Sequence, residues 1–333
     1  MLKKIPPRPD RRPIPSVLSL PLFLLVGLVL AGCGGVDTVD EATEAAPSAD
    51  AQFPVDVLSG PLDKGTKVTI NDEPASIVSL SPTATEMLWE VGAGDHLVAV
   101  DDQSDYPEEV PTTKLSGYQP NVEAVLEYEP DLVVAADDTG DLVANLEKAH
   151  VPTLLLPAAA DLEETYSQME RLGDATGHTE EADHAVNDMR EGIDQALADA
   201  PDADGLTYLH ELTPDLYSAS GSTFIGEVYG LFGLENVADK SKVKDDYPKL
   251  SKEYVVDADP DLVFLADSQC CGVSVADVAK RSGWAQVAAV DDEQVHVVDV
   301  DVASRWGPRV VDFVQQVSEI LAARESALGG ADG

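Results

Sequence analysis

Tyr118, Tyr247 and Trp306 are the side chains of this sequence best suited to grip a flat ligand. Each stands in a polar loop beyond an apolar, strand-like run, and each offers a planar wall; the tyrosines add a polar handle. In open α/β sheets, ligands lie outside the carboxyl ends of the strands. That rule collects Ser81, Asp101 to Ser104 (including Gln103) and Gly117 to Gln119 from the first half. From the second half it collects Ser220 to Thr223, Tyr247, Ser268 to Gly272, and Asp301 to Trp306 with Arg305. Trp306 suits a core position equally well. Catalysis finds no support: there is no Gly-x-Ser-x-Gly elbow, no phosphate-cradling glycine loop, and Ser222 has no evident base. Six His at no ligand-like spacing argue against direct metal capture. Cys270 and Cys271 are adjacent, which makes them awkward metal ligands. Outside a cell they suit a vicinal disulfide, with a reduced buried pair as the alternative.

The N-terminus fixes the compartment. Lys3, Lys4, Arg8, Arg11 and Arg12 precede an apolar run from Val17 to Leu30, interrupted by Pro21 and Gly27. Such a run is short for a membrane span and reads as a cleavable signal. Leu30-Ala31-Gly32-Cys33 resembles a lipoprotein cleavage box, which predicts a signal peptide over 1–32 and a mature chain anchored through acyl groups on Cys33. An ordinary secretory signal is the alternative. The expected location is therefore the outer face of the cell membrane, with the lipid as the membrane contact.

Residues 34 to 53 are rich in Asp, Glu, Ala, Thr and Ser, too polar to offset chain entropy by burial. A charged stretch of this kind stays extended. Composition turns globular from about Pro54, and the strand pattern sets the boundaries. These are an anchored, flexible tether over 33–65, an α/β lobe over 66–160, a helical connector over 161–200, a second α/β lobe with a closing helix over 201–326, and a disordered tail over 327–333. The formal charge is −41, and close to −45 once the leader's five Lys/Arg and one Asp are removed. Nucleic acid is excluded as a partner, because phosphate binding needs a basic footprint. High acidity speaks of solubility or a salty habitat.

Ile77 to Leu80, Leu97 to Val100, Leu132 to Ala135 and Thr153 to Leu156 read as buried strands of one parallel sheet. Ser81-Pro82 opens a helix, with Ser as cap and Pro in the first turn, and Gly92 and Gly94 close it. Residues 161 to 199 show helical periodicity with a break between Gly173 and Gly177. Strands resume at Leu206 to Leu209, Leu216 to Ala219, Leu262 to Leu265 and Val295 to Val298, before a last helix from about Pro308 to Arg324. An internal repeat joins the halves. Glu123 stands seven residues before Pro130-Asp-Leu-Val, and Glu253 seven before Pro260-Asp-Leu-Val. Asn121 and Ser251 precede them as N-caps, so each Glu falls in a first helical turn, where a negative charge is favourable.

These residues, in order, resemble the substrate-binding proteins of bacterial ABC importers for cobalamin, ferric siderophores and heme. The likeness runs from about residue 66 to 325. It is carried by Ile77-Val-Ser-Leu-Ser-Pro-Thr-Ala-Thr-Glu86, Gly92 to Val100, Asp105-Tyr-Pro107, both Glu and Pro-Asp-Leu-Val repeats, Gly233 to Val237, Gly283-Trp284 and Gly307-Pro-Arg309. The resemblance implies two parallel-sheet α/β lobes joined by a long rigid helix, with the ligand in the cleft between them. It also implies a monomer that delivers its ligand to an ABC permease dimer with its ATPase. On that likeness Glu123 and Glu253 fall where one acid per lobe docks on permease arginines. Tyr118 and Tyr247 fall near aromatics that line the pocket, and Asp301 and Arg305 where an acid and a base reach the ligand's side groups. Gln103 stands where an aromatic is usual.

No resident cofactor or metal is implied. The expected cargo is a corrinoid, because only Arg305 and Arg309 lie near the predicted mouth and an anionic iron chelate needs more cationic partners. A ferric siderophore or heme is the alternative, with His210, Tyr217 and Tyr118 as candidate iron ligands. A surface sensor on the same lobes is the rival from another class.

Overall fold

The computed structural model describes residues 53–329; the leader, Cys33 and most of the tether lie outside them. The first element among the described residues is a hairpin of β1 (Val55–Ser59) and β2 (Thr66–Ile70). Residues 55 to 65, expected as the end of a flexible tether, belong instead to this hairpin. Val55 and Val57 alternate with Asp56, a period-two pattern that an acidic composition hides. The hairpin is tied down by polar contacts: Arg171 Nη1 donates to the carbonyls of Leu58 (3.2 Å) and Gly60 (2.8 Å), and the Leu155 N–H donates to Ser59 Oγ at 2.8 Å.

The first lobe continues through β3 (Ile77–Leu80), α1 (Pro82–Leu88), β4 (Leu97–Val100), α2 (Val122–Leu126), β5 (Leu132–Ala135), α3 (Leu142–Lys148) and β6 (Thr153–Leu155). Its strands form a parallel sheet of order β4-β3-β5-β6. Two helices follow, α4 (Leu162–Thr176) and α5 (Thr179–Asp199). Gly177, at φ 81, separates them in a left-handed conformation that glycine adopts without strain.

The second lobe runs β7 (Thr207–Glu211), α6 (Phe224–Gly230), β8 (Glu235–Asn236), α7 (Lys252–Ala258), β9 (Leu262–Leu265), α8 (Ser268–Cys271), α9 (Val275–Ala279), α10 (Ala288–Asp291), β10 (Val295–Val297), α11 (Val300–Ser304) and α12 (Val310–Gly329). Its parallel sheet has the order β10-β9-β7-β8. Leu216 to Ala219, expected as a strand, makes only single bridges through Tyr217 and Ser218. Leu216 sits at φ 64 and its N–H closes a turn onto the Thr213 carbonyl, which ends any ladder there. The last helix reaches Gly329, so residues 327 to 329 belong to it and not to a tail.

Alternation along the strands sorts the core. On β5, Leu132 and Val134 face a large central cluster while Val133 and Ala135 face an outer one; on β9, Leu262 and Phe264 face the centre while Val263 and Leu265 face outward. The central cluster also takes Met169 and Leu172 from α4, Val186 and Ile193 from α5, and Phe313 and Val317 from α12. Both lobes thus share one core with the connector. Helix α5 packs closely on α12: a Cβ on Gly192 would come within 2.7 Å of Val311, and Ser318 Oγ donates to the Ala196 carbonyl at 2.8 Å. A hinge built this way moves little, because a packed core resists shear.

The repeat has a structural reason that sequence reading missed. Asp131 accepts from the N–H groups of Ala75 and Ser76 and from the Ser76 hydroxyl, at the entry to β3. Asp261 accepts from the N–H and hydroxyl of Thr207 at 2.8 and 2.7 Å, at the entry to β7. In each lobe the Asp of Pro-Asp-Leu-Val fixes where the neighbouring central strand begins.

Candidate functional site

A cavity of about 290 Å3 lies at the carboxyl ends of the first-lobe strands and takes its opposite wall from α11. Leu80, Ser81, Asp101, Gln103, Gly117, Tyr118 and Asp137 line it from the first lobe; Asp301, Ser304, Arg305 and Trp306 line it from the second. The strand ends aim these loops at one place, as the topology of parallel sheets requires.

Each wall residue is held by something definite. Ser81 is buried and caps α1, its hydroxyl accepting from the Ala84 N–H. Asp101 is 3 % exposed and accepts from the Ser104 hydroxyl at 2.6 Å. Burial raises its pKa, against the lowering effect of that hydrogen bond. Gly117 has no room for a side chain, since a Cβ would lie 2.5 Å from the Leu80 carbonyl oxygen and 2.6 Å from Asp101 Oδ2. Tyr118 next to it is 81 % exposed, an apolar face kept open at the mouth. Trp306 does both things expected of it: it packs on the central core, donates Nε1–H to Gln168 Oε1 at 3.0 Å, and still lines the cavity.

Arg305 is not free to meet a ligand anion. Its Nη1 donates to Glu86 Oε1 at 2.7 Å and to Asp105 Oδ1 at 3.3 Å. Its Nη2 donates to Asp301 Oδ1 at 2.9 Å and to the Gln103 carbonyl at 3.2 Å. Arg309 holds the same Glu86 by Nε and Nη2, and stacks on Tyr106 with its guanidinium carbon 4.2 Å from the ring centroid. Glu86 and Arg309 also line a groove of about 460 Å3 beside α5 and α12. That groove is larger, but it lies among helix flanks, whereas the smaller cavity lies at the strand ends.

Three expected contributors stand apart. Tyr247 is half-exposed and does not line the cavity. Its loop is drawn aside: Asp246 accepts from the Ser222 hydroxyl at 2.8 Å, and Tyr217 bridges to Lys249. Ser220 and Ser222 instead line a separate hollow with Asp239 and Asp246. Cys270 and Cys271 are joined as a vicinal disulfide on α8, exposed and outside the cavity. Of the candidate iron ligands, His210 is wholly buried on β7, with Nδ1 2.9 Å from the Tyr229 hydroxyl, and burial pushes its pKa down to about 3. Tyr217 lies against Lys249.

Glu123 and Glu253 are both exposed, each in the first turn of its helix, with Asn121 Oδ1 and Ser251 Oγ accepting from the N–H groups of Ala124 and Tyr254.

Residues 77–302 match the model of the periplasmic binding protein family. The chain belongs to that family. This binding protein is 30 % identical over 309 residues to an uncharacterized ABC transporter substrate-binding lipoprotein of Bacillus subtilis, covering 90 % of this chain and 95 % of the relative. It is 30 % identical over 305 residues to a cobalamin-binding protein of Halobacterium salinarum, covering 88 % and 81 %. The periplasmic vitamin B12 binding protein of Vibrio cholerae superposes with a TM-score of 0.65 at 26 % identity, covering 76 % of this chain and 98 % of that one. No helix among the described residues is long and apolar enough to cross a membrane.

Sequence reading missed Glu86. It is a carboxylate buried on a short helix, 3 % exposed, and only the fold brings Arg305 and Arg309 to it from more than 200 positions away.

Proposed function

We propose that this chain is the lipid-anchored, extracytoplasmic binding component of an ABC importer, and that it captures a corrinoid in the cleft between its lobes. It acts by holding and handing over its cargo, not by chemistry on it. Glu123 and Glu253 are the permease contacts, one on each lobe, and Cys33 is the anchor.

The observation that carries the ligand class is the charge of the cleft. Asp101, Asp137 and Asp301 line it, against one guanidinium whose terminal nitrogens are already bonded to protein oxygens. Such a lining accepts hydrogen bonds from amide N–H groups and repels carboxylates. A corrinoid edged with amides fits it; a heme with two propionates or an anionic ferric siderophore does not. The names carried by the Halobacterium and Vibrio relatives agree with this reading. The cleft has about 290 Å3 to offer as it stands, so a large ligand rests at its mouth against Tyr118 or opens the lobes slightly.

Heme is the second reading, favoured by the exposed Tyr118 phenol at the mouth, a group able to ligate ferric iron. Calorimetric titration of the purified protein with cyanocobalamin, dicyanocobinamide, hemin and a ferric tris-catecholate separates the two. Tight binding of the corrinoids alone is the expected result; preference for hemin or the ferric chelate overturns the assignment.

A further inference from the structure

We infer that Glu86 sets the charge class of ligand this cleft accepts, by holding the Arg305 guanidinium away from ligand carboxylates. The inference rests on the corrinoid reading above and deepens it.

Glu86 projects from α1 of the first lobe and its side chain is 2 % exposed. Both of its oxygens are occupied: Oε1 receives Arg305 Nη1 at 2.7 Å and Arg309 Nη2 at 2.6 Å, and Oε2 receives Arg309 Nε at 2.9 Å. Among the residues lining the cavity, Arg305 is the sole cation. With Nη1 on Glu86 and Nη2 on Asp301, it presents a fork whose charge is already matched. A ligand carboxylate that approached it would have to displace a protein carboxylate and would then face Asp101 and Asp137. Charge-matched walls of this kind reject the wrong partner more than they strengthen the right one.

Replacing Glu86 by Gln removes one acceptor oxygen and puts an NH2 group against two guanidiniums. One of them must turn away. Arg309 has two further holds on its place, the Tyr106 ring and the remaining acceptor. Arg305 keeps Nη2 on Asp301 and the Gln103 carbonyl, but its Nη1 loses its shortest bond and retains only the longer contact to exposed Asp105, and Arg305 already borders the cavity. The variant cleft therefore presents a guanidinium with one charged partner fewer, where a ligand carboxylate can reach it.

The test compares affinities for hemin and dicyanocobinamide in the purified wild type, E86Q, and the double variant E86Q/R305Q. The hemin-to-cobinamide affinity ratio is expected to rise by about tenfold or more in E86Q, equal to ~1.4 kcal/mol and within the worth of one hydrogen bond to a charged group. It is expected to fall back towards the wild-type ratio in the double variant. Loss of packing alone would weaken both probes together and leave the ratio unmoved. A folded E86Q with an unchanged ratio overturns the role of Glu86, as does a raised ratio that persists without Arg305. Should E86Q fail to fold, E86Q/R309Q removes the acid together with its second guanidinium and still leaves Arg305 without Glu86. A rise in the ratio there supports the inference, and none overturns it. A wild type that binds none of the probes overturns the corrinoid reading and this inference with it.

Discussion

Glu86 and Arg309 meet across the junction of the lobes as a two-pronged pair, with Nε 2.9 Å from Oε2 and Nη2 2.6 Å from Oε1. The glutamate comes from the first lobe and the arginine from the start of the closing helix, and Arg305 adds a third prong. A buried pair of this kind is a poor source of net stability but a strict constraint, because removing one partner strands the other charge away from water. Glu86→Ala is expected to destabilise the protein by about 3–5 kcal/mol in urea unfolding. The Arg190–Glu163 pair has the same two-pronged geometry, but its side chains are 42 % and 70 % exposed. Glu163→Ala should cost less than about 1 kcal/mol. Equal losses from the two substitutions would mean that the junction is solvated.

Asp267 gives a pH dependence with a defined sign. It is fully buried, and neither carboxylate oxygen receives a hydrogen bond from another group. Its neighbour Glu211 is paired with Arg281, with oxygens 2.5 and 2.6 Å from the guanidinium nitrogens. Burial first, and Glu211 second, push the Asp267 pKa up to about 7 from an ordinary 3.8, so the protonated carboxyl donates to Glu211. Between those values the folded chain holds more protons than the unfolded chain. Stability from this group is full below the lower value, falls as pH rises through the window, and is flat above it. Asp267→Asn supplies the donor at every pH. Its melting temperature should match wild type around pH 4 and exceed it increasingly up to about pH 7. His210, pushed down to about 3, acts in the opposite sense, with stability lost as pH falls below its ordinary 6.5. Subtracting the two melting curves removes that contribution. A constant difference across the window would show that Asp267 is ionised throughout.

Gly117 and Tyr118 divide the work at the mouth of the cleft. Gly117→Ala forces a methyl onto the Leu80 carbonyl and the Asp101 carboxylate, so the cleft floor must move. Tyr118→Ala removes only an exposed ring. Tyr118→Ala is expected to weaken corrinoid binding by about 1–3 kcal/mol, the worth of a stacking face, with no change in melting temperature. Gly117→Ala should weaken binding and lower the melting temperature together. Full affinity in a folded Tyr118→Ala protein would place the ligand elsewhere.

Local rules made most of the scaffold legible. Continuous apolar runs such as Ile77 to Leu80 and Leu262 to Leu265 became the central strands, and Ser81-Pro82 became a capped helix start. The cleft was legible in outline, because strand-end loops converge wherever a parallel sheet forms, and Ser81, Gln103, Tyr118, Asp301, Arg305 and Trp306 share one cavity. Tyr247 does not, since the course of its loop is set by Asp246, Ser222 and a bridge to Tyr217, which no local pattern announces. The β1–β2 hairpin hid behind acidic composition and depends on Arg171, over a hundred residues away. The state of Arg305 was the least legible: its type promised a cation for the ligand, while its partner Glu86 lies 219 positions earlier.

Glu123 and Glu253 supply the prediction that separates capture from delivery. Both are exposed in the first turn of equivalent helices, α2 and α7, where the helix dipole favours a negative charge and leaves it available to a basic partner. Their equivalence runs deeper than sequence spacing, since each helix leads into a Pro-Asp-Leu-Val strand whose Asp anchors the neighbouring strand in the same way. Two acids on equivalent faces of two lobes suit a permease dimer that offers each lobe one basic surface. Exposed charges at such a contact govern encounter and orientation more than they govern ligand affinity in the cleft. Glu123→Ala with Glu253→Ala should therefore leave corrinoid affinity and melting temperature unchanged while reducing corrinoid uptake by cells at least tenfold, a loss of ~1.4 kcal/mol or more in docking. Either single variant should be intermediate, because one lobe remains engaged. Wild-type uptake by the folded double variant would assign both acids to the helix ends alone.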